Sequence, residues 1–332
     1  MKDYDKITII VPCYNEQETI PLFVEQMNLV KAQMEENYPV RLEYLFVDDG
    51  SKDRTLAVLK EVAGENPHIS YITFSRNFGK EAAMFAGMEH AEGDYVVIID
   101  ADLQDPPELV AEMYTTIKNE GYDCVASRRV DRKGESKIRS FFANMFYRII
   151  RKMSKVNIVS GARDFRMMSR QMVDSIISLR EYNRFSKGIF QWVGFNTKWI
   201  EFENRNRVAG TTKWSFFGLM VYALEGIIAF TTAPLALSSI VGIIFCIIAL
   251  IMVLVFFIRA LIWGDPVSGW PSLACIICFI AGIQLFCNGI TGLYVSKTYS
   301  EVKGRPQYII KNKYVGEANR PENDGDTPEV SE

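Results

Sequence analysis

The sequence predicts an α/β fold, a doubly wound and mostly parallel sheet that is followed by interfacial amphipathic helices and two C-terminal transmembrane helices. Apolar, β-branched runs alternate with helical patterns over residues 6–127, which is typical of a sheet covered on both faces. Residues 234–257 and 270–293 contain no charged side chain. Each of these two stretches is long enough to cross about 30 Å of hydrocarbon as a helix, whereas buried core helices usually keep a polar stripe.

Five apolar runs are predicted to be the strands of the sheet. They are "KITIIVP" (6–12), "LEYLFVDD" (42–49), "ISYITFS" (69–75), "DYVVIIDAD" (94–102) and "YDCVAS" (122–127). The helical patterns between them cover residues 16–37, 53–65, 80–91 and 107–120. Because ligands bind beyond the carboxyl ends of strands in such sheets, the informative residues are those that follow each strand.

The first two strand ends combine an aromatic side chain with carboxylates. "VPCYNE" places Pro12, Tyr14 and Glu16 where they can wall a flat base and accept hydrogen bonds from it. A turn followed by a helix cap explains the same residues without a ligand. "VDDGS" places Asp48 and Asp49 after the second strand, and two adjacent carboxylates are unusual for an ordinary turn.

Asp100 and Asp102, in "IIDADLQDPPE", add a third acidic position at the same edge. Converging carboxylates repel each other and stay ionised only where a cation or a donor-rich ligand compensates them. Carboxylate oxygens suit Mg²⁺ or Mn²⁺, and Mg²⁺ is commonly held by one or two carboxylates plus substrate phosphates. The pattern predicts a metal that bridges a diphosphate. Since D-x-D alone is a weak signal, a solvated acidic turn before a helix is the alternative.

Basic residues concentrate between residues 128 and 155, where the sequence has ten Lys or Arg. Residues 138–155 are predicted to form an amphipathic helix on the membrane surface, because basic side chains surround an apolar face. The alternative is a solvated basic helix packed on the domain. Nucleic-acid binding fits less well, since the segment precedes spanning helices and has no recognition motif.

The charges around the two apolar stretches predict their orientation. Lys213 precedes the first stretch, whereas the loop between the two stretches holds only Arg259 and Asp265. The second stretch is followed by Lys297, Lys303, Arg305, Lys311 and Lys313. The charged start "MKDYDK" indicates no cleavable signal. We expect a protein of the cell membrane with both termini in the cytoplasm. The predicted divisions are a cytoplasmic domain (1–212), a juxtamembrane amphipathic helix (213–230), a two-helix transmembrane hairpin (231–296) and a cytoplasmic C-terminal segment (297–332) with a disordered acidic tail from Glu317.

Polar residues within the second apolar stretch predict contacts between copies of the chain. Gln284, Asn288 and Thr291 recur at helical spacing, and we expect them to hydrogen-bond in a homo-oligomer rather than to line a transport path. The sequence has six cysteines, and the C-x-x-C at Cys275 and Cys278 has no second ligand pair. These cysteines are therefore interpreted as packing residues of a protein in a reducing compartment.

Four motifs occur in order at the ends of successive elements, "VPCYNE", "VDDGSKDRT", "FSRNFGKEAAMFAGM" and "DADLQDPPE". Together with "RNRVAGTTKW" and the two C-terminal spans, they resemble the family-2 glycosyltransferases of the GT-A fold. The similarity is to the polyprenyl-phosphate group, which includes dolichyl-phosphate mannose synthase and bacterial undecaprenyl-phosphate glucosyltransferases, and it covers nearly the whole chain except the tail. It implies transfer of a sugar from a nucleotide to a lipid phosphate.

The resemblance implies a role for each matching residue. Asp100, Asp102 and Gln104 would be the catalytic D-x-D group that holds Mg²⁺ or Mn²⁺ and the diphosphate of the donor. The chain has Ala162-Arg163-Asp164-Phe165 where relatives often carry a glycine before Phe-Arg. The residues expected to bind the nucleotide sugar are Pro12, Tyr14, Glu16, Asp48, Asp49, Lys80, Asp164, Arg207 and Lys213.

A phosphate acceptor needs little deprotonation, because its second pKa is about 6. A hydroxyl acceptor needs a positioned base, and neither His68 nor His90 lies in a strand-end motif, although an aspartate base stays possible. An anionic acceptor also needs cations to bring it close to an anionic donor. The residues expected to bind the lipid phosphate are Arg128, Arg129, Lys137 and Arg139.

The leading interpretation is an inverting, metal-dependent transfer of glucose from UDP-glucose to undecaprenyl phosphate, which gives a β-linked lipid phosphosugar. UDP-GlcNAc, UDP-galactose and GDP-mannose are alternative donors. A processive polysaccharide synthase is the second enzyme class, but the sequence has no Q-x-x-R-W motif and two spans provide little material for a channel. A non-enzymatic nucleotide-binding membrane protein or a lipid-sugar flippase is a third interpretation, against which the uncharged spans argue.

Overall fold

The computed structural model describes residues 4–129, 159, 161–202, 233–263 and 269–320. Within these residues, eight strands form one sheet. The strands are β1 (Asp5–Cys13), β2 (Val40–Asp48), β3 (Ile69–Phe74), β4 (Tyr95–Ile98), β5 (Cys124–Arg129), β6 (Ala162–Ser169), β7 (Thr197–Phe202) and β8 (Ile310–Tyr314). The helices are α1 (Thr19–Asn37), α2 (Thr55–Glu65), α3 (Lys80–His90), α4 (Leu109–Glu120), α5 (Arg170–Ser178), α6 (Ser186–Trp192), α7 (Ala233–Trp263) and α8 (Trp270–Val302).

The strands lie in the order β7-β5-β6-β4-β1-β2-β3-β8. β1 runs parallel to β2 and β4, β2 runs parallel to β3, and β5 runs parallel to β7. β6, however, lies antiparallel between β4 and β5, and β8 is antiparallel to β3. The α/β class is therefore confirmed, while the expected mostly parallel sheet is in fact mixed. β6 was missed because Arg163, Asp164 and Arg166 interrupt its apolar pattern.

Helices cover both faces of the sheet, as the alternation of elements predicts. Alternate side chains of β1 point to opposite faces, so that Ile7 and Ile9 pack with α1, α2 and α4, whereas Ile10 packs with α3, α5 and α6. The four helices predicted between strands all form, and each ends within one residue of its predicted end. These two apolar layers hold the carboxyl ends of the strands in fixed relative positions.

The C-terminal part contains two long helices, α7 of 31 residues and α8 of 33 residues. They meet through Phe245 and Phe279, whose ring centroids are 5.7 Å apart. Among the residues that the structure describes, one stretch, Phe279–Val302, has the length and composition to cross a membrane. Its mean hydropathy is 1.3 and none of it is buried. Large apolar side chains such as Leu285 are exposed along it, which is expected for a surface that meets lipid or a partner. A second span in α7 stays a prediction.

After α8 the chain returns to the sheet as β8. The ring of Tyr314 stacks on that of Tyr71 in β3 with centroids 5.3 Å apart. Glu317–Asn319 then forms a short 3₁₀ turn, inside the stretch predicted to be a disordered tail, and Asn319 donates a hydrogen bond to Ser70 (3.0 Å). The predicted amphipathic helices at 138–155 and 213–230 lie outside the described residues.

Candidate active site

The site lies at the carboxyl edge of the sheet, where β1 and β4 separate. Pro12 has no N–H, so the ladder between the two strands stops after the bond from Ile99 N to Ile10 O (3.0 Å). The chain therefore leaves the sheet after Ile98, earlier than the predicted strand, and the acidic residues that follow lie in a loop. Leu103 in this loop has a left-handed backbone conformation (φ 55°), which costs energy for a residue other than glycine and is common at functional sites.

The loops after β1 and β2 are fastened to each other. Asn15 N donates to Ser51 Oγ (2.8 Å), and Asn15 Oδ1 accepts from Lys52 N (2.8 Å). Glu16 N donates to Thr55 Oγ1 at the start of α2 (2.8 Å). Tyr14 and Glu16, which were predicted to contact a nucleoside, are half-buried in this joined pair of loops.

Asp48 and Asp49 are both buried and both accept hydrogen bonds from the protein. Asp48 Oδ1 accepts from the hydroxyl (2.5 Å) and the amide (3.1 Å) of Ser51. The carboxylate of Asp49 accepts from the amides of Phe78 (2.6 Å) and Gly79 (2.9 Å). Burial raises the pKa of both carboxyls, and that of Asp49 reaches about 6. Asp49 therefore holds the turn that leads into α3.

Lys80, the first residue of α3, joins two carboxylates that come from distant parts of the sequence. Its Nζ lies 2.6 Å from Asp100 Oδ1 and 2.7 Å from Asp164 Oδ2. Burial would raise the pKa of Asp164, but the charges of Lys80 and Lys187 outweigh it and hold that pKa below its ordinary value. Burial would likewise lower the pKa of Lys80, but the two carboxylates raise it. Lys80 and Asp164 are therefore charged at neutral pH.

The rest of the acidic loop is compensated by Arg163. Asp105 is buried, with 1% of its surface exposed, and accepts a hydrogen bond from Arg163 Nε (2.9 Å). Burial raises the pKa of Asp105 to about 6, although the charge of Arg163 opposes the rise. Asp102 Oδ1 accepts a hydrogen bond from Gln104 N (3.1 Å). No group of three or more His, Cys, Asp or Glu with metal-site geometry occurs in the described ranges.

Arg166 fixes the backbone that carries Arg163 and Asp164. Its guanidinium is buried and donates to Arg163 O (2.8 Å) and Asp164 O (3.3 Å). Its Cζ lies 3.8 Å from the ring centroid of Phe190 in α6. Arg166 of β6 thereby joins Phe190 of α6 to the backbone of Asp164. We call Lys80, Asp100 and Asp164 the Lys80 cluster.

The expected phosphate-binding cations are brought together only in part. Arg128 forms an ion pair with Glu201 of β7, and Arg129 N donates to Gly161 O (3.0 Å). Four of the predicted ligands lie outside the described residues, namely Lys137, Arg139, Arg207 and Lys213.

Sequence reasoning also missed residues that lie at the site. Arg163 and Lys187 were not among the predicted site residues. The same holds for Glu81, whose carboxylate accepts hydrogen bonds from the hydroxyl and amide of Ser186. Glu81 follows Lys80 in the motif "FSRNFGKEAAMFAGM", so the sequence pattern could have indicated it. No pattern indicated Ser186 or Lys187, because helix α6, which carries them, was not predicted.

Comparison with known families shows the family of the chain. The family described as glycosyl transferase family 2 matches residues 8–177, which run from within β1 into α5 and therefore include the Lys80 cluster. The chain belongs to glycosyltransferase family 2. The match confirms the family expected from the ordered motifs and the enzyme class that the family implies.

Other family-2 glycosyltransferases match nearly the whole chain. The SfII prophage-derived bactoprenol glucosyl transferase of Shigella flexneri is 40% identical over 311 residues, which are 94% of this chain and 99% of the relative. The prophage bactoprenol glucosyl transferase homolog of Escherichia coli K12 is 39% identical over 306 residues, 92% of this chain and 98% of the relative. Among solved structures, the mannosyltransferase PcManGT of Pyrobaculum calidifontis has a TM-score of 0.43 at 16% identity, over 90% of this chain and 85% of its own.

Proposed function

We propose that this family-2 glycosyltransferase moves glucose from UDP-glucose to undecaprenyl phosphate at the cytoplasmic face of the cell membrane. The observation that carries the proposal is the Lys80 cluster, in which one ammonium joins carboxylates of a loop and of β6 at the carboxyl edge of the sheet. Two relatives with about 40% identity are named bactoprenol glucosyl transferases, which supports a polyprenyl acceptor and a glucosyl group.

The acidic loop fits a divalent ion that is shared with the donor. Asp100 and Asp102 offer the hard oxygen ligands that Mg²⁺ and Mn²⁺ prefer, and one or two carboxylates are sufficient when phosphates complete the shell. Gln104 is the third residue that we propose as a ligand of this ion. A bound ion would neutralise charge on the departing diphosphate. Loss of turnover on chelation, restored by Mg²⁺ or Mn²⁺, is expected.

The acceptor phosphate supplies the nucleophile. Since its second pKa is about 6, it is largely an anion at neutral pH and needs little help from a base. Its oxygen forms a bond to the anomeric carbon while the bond from that carbon to the diphosphate oxygen breaks, and UDP leaves. Attack opposite the leaving group converts an α-linked donor into a β-linked product. Lys80 keeps Asp100 and Asp164 in place during this exchange.

The return of the chain to the sheet supports a two-span hairpin. β8 follows α8 and pairs with β3, so the residues of both strands lie on the same side of any membrane. If α8 crosses the bilayer, the chain must also cross in the other direction before it, and the uncharged residues 234–257 of α7 are suited to that. A homo-oligomer through Gln284, Asn288 and Thr291, which are all exposed on α8, is part of the same proposal.

The test uses purified protein with Mg²⁺, undecaprenyl phosphate and a panel of sugar nucleotides. We expect release of UDP and formation of a lipid phosphosugar with UDP-glucose, and its loss in Asp102→Asn. The control is Asp174→Asn, which removes an exposed carboxylate on α5 that pairs with Arg170. Unchanged turnover in Asp102→Asn would contradict the metal assignment. A product of polymer length would favour a polysaccharide synthase, and binding without turnover would contradict the proposed reaction.

A further inference from the structure

The cytoplasmic end of α8 is clamped to the segment between α5 and α6. Glu301, in the last turn of α8, accepts hydrogen bonds from Tyr182 N, Asn183 N and Asn183 Nδ2, each at 2.9 Å. These three hydrogen bonds hold residues 182–183 against the helix.

The same segment is fastened to the site at its other end. The Cζ of Arg184 lies 4.3 Å from the ring centroid of Phe85 in α3. Ser186 N then donates to Glu81 Oε2 (3.0 Å), and Glu81 is the neighbour of Lys80. The short segment 182–186 thus joins the membrane helix to the helix that carries the central lysine.

Lys187 follows this segment as the second residue of α6. It lies between Ser186, which is bonded to α3, and Phe190, which packs on Arg166. Its positive charge also contributes to the lowered pKa of Asp164. Within the described part of the chain, Lys187 Nζ forms no ion pair, whereas Lys80 and Arg163 are each bound to carboxylates.

We propose that Lys187 binds the phosphate of the lipid acceptor and that Glu301 is a positioning residue, because it holds segment 182–186, which directly precedes Lys187. The inference rests on the proposed function, because it assumes a lipid phosphate as acceptor. Such a phosphate is confined to the membrane surface, so it reaches the site near the cytoplasmic end of a spanning helix. An ammonium group that is half-buried and forms no ion pair with any residue that the structure describes is suited to receive it as a point charge.

The first test compares Lys187→Met, which keeps the aliphatic stem, with Lys187→Arg, which keeps the charge. In Lys187→Met the KM for undecaprenyl phosphate should rise by about ten- to a hundredfold, the loss expected for a charge-assisted hydrogen bond, while the KM for the sugar nucleotide stays within about twofold. Lys187→Arg should recover most of the acceptor affinity. Lys60→Met, on the exposed face of α2, is the matched control and should change neither constant.

The second test separates positioning from folding. Glu301→Ala should raise the KM for the acceptor several-fold, because segment 182–186 loses its hydrogen bonds to α8. The affinity for the UDP-sugar, measured by equilibrium dialysis, should stay unchanged. Glu301→Gln, which keeps one oxygen acceptor, should lie between wild type and Glu301→Ala. Glu120→Gln removes a comparable exposed carboxylate, paired with Lys198, and is the control.

The outcomes distinguish this inference from the proposed function. If wild type transfers sugar to undecaprenyl phosphate and Lys187→Met does so with an unchanged acceptor KM, the assignment of Lys187 is wrong. A loss of UDP-sugar binding in Lys187→Met would place Lys187 on the donor side and would also contradict it. If wild type itself transfers no sugar to undecaprenyl phosphate from any donor, the proposed function fails instead.

Discussion

Lys80 bridges two carboxylates and keeps one of them, Asp164, charged. Its ammonium lies within 2.6–2.8 Å of oxygens from Asp100 and Asp164, which would otherwise repel each other. Asp164 is kept ionised by this contact although it is mostly buried. The protonation state of Asp164 therefore depends on a residue that lies 84 positions away in the sequence.

Replacing Lys80 with Met should reduce kcat/KM and change its pH dependence. Without the ammonium, burial and the charge of Asp100 both favour the protonated form of Asp164, so its pKa rises. The carboxylate is then lost at a higher pH, and the acid limb of the profile of kcat/KM should move upward in pH. Rates measured between about pH 5 and 8 check this. Lys60→Met is the control, and an acid limb that stays in place would show that Asp164 does not need to be ionised.

Asp49 should make stability depend on pH in the opposite direction to most carboxylates. Its pKa is about 6 in the folded protein, above the value of about 4 in an unfolded chain. Between these two values the folded state binds more protons, so the free energy of unfolding falls as pH rises, by roughly 3 kcal/mol at most. Asp49→Asn removes this titration. The decrease in Tm from pH 4.5 to 7 should therefore be smaller in Asp49→Asn than in wild type, and an equal decrease would contradict the shift.

At the scale of elements, the strand and helix pattern was predictable where side chains alternate regularly. β1 to β3 and α1 to α4 form as expected, since their apolar residues follow the periods of strands and helices. β6 and β8 were not predicted, because charged residues occupy positions that only the assembled sheet explains. In β8, Lys311 and Lys313 are exposed, as is usual on an edge strand.

Tyr308, just before β8, should contribute to stability mainly through its ring. The ring stacks on Phe74 with centroids 5.0 Å apart, and its hydroxyl donates to Glu89 Oε2 (2.6 Å). Tyr308→Ala removes the stacked area and should cost about 2–3 kcal/mol. Tyr308→Phe loses only an exposed hydrogen bond and should cost under about 1 kcal/mol. Thermal unfolding of both variants measures the difference, and equal losses would argue against a packing role for the ring.

At the scale of the molecule, the rule that ligands bind beyond strand ends located the edge of the sheet where the site lies. It did not predict which residues contact each other there. Asp100 was found because it follows a strand. Asp164 entered through a sequence resemblance, and its contact with Lys80 depends on β6 running antiparallel beside β4. Lys187 and Glu301 could not be found in this way, since neither follows a strand and the two are linked through residues 182–185, which have no regular structure.

The pairing of β8 with β3 predicts the result of a topology experiment. A fluorescent protein fused after residue 332 should fold in the cytoplasm and fluoresce, because β8 and β3 share one compartment. Alkaline phosphatase fused after Trp263, at the end of α7, should be active, because the proposed hairpin turns outside the cytoplasm. Activity of alkaline phosphatase fused at the C terminus would contradict the two-span arrangement.

The position of β8 in the chain also sets an order for biosynthesis. A ribosome translates β8 only after α8, so the edge of β3 has no partner until the apolar helices have emerged. An open edge strand is a site for mispairing with other chains. With the proposed hairpin, a nascent protein whose helices insert the wrong way round would send its last strand to the far compartment and leave that edge exposed. The sheet is therefore completed only when the helices have inserted in the correct orientation. A misinserted chain would expose the unpaired edge of β3 to chaperones and proteases.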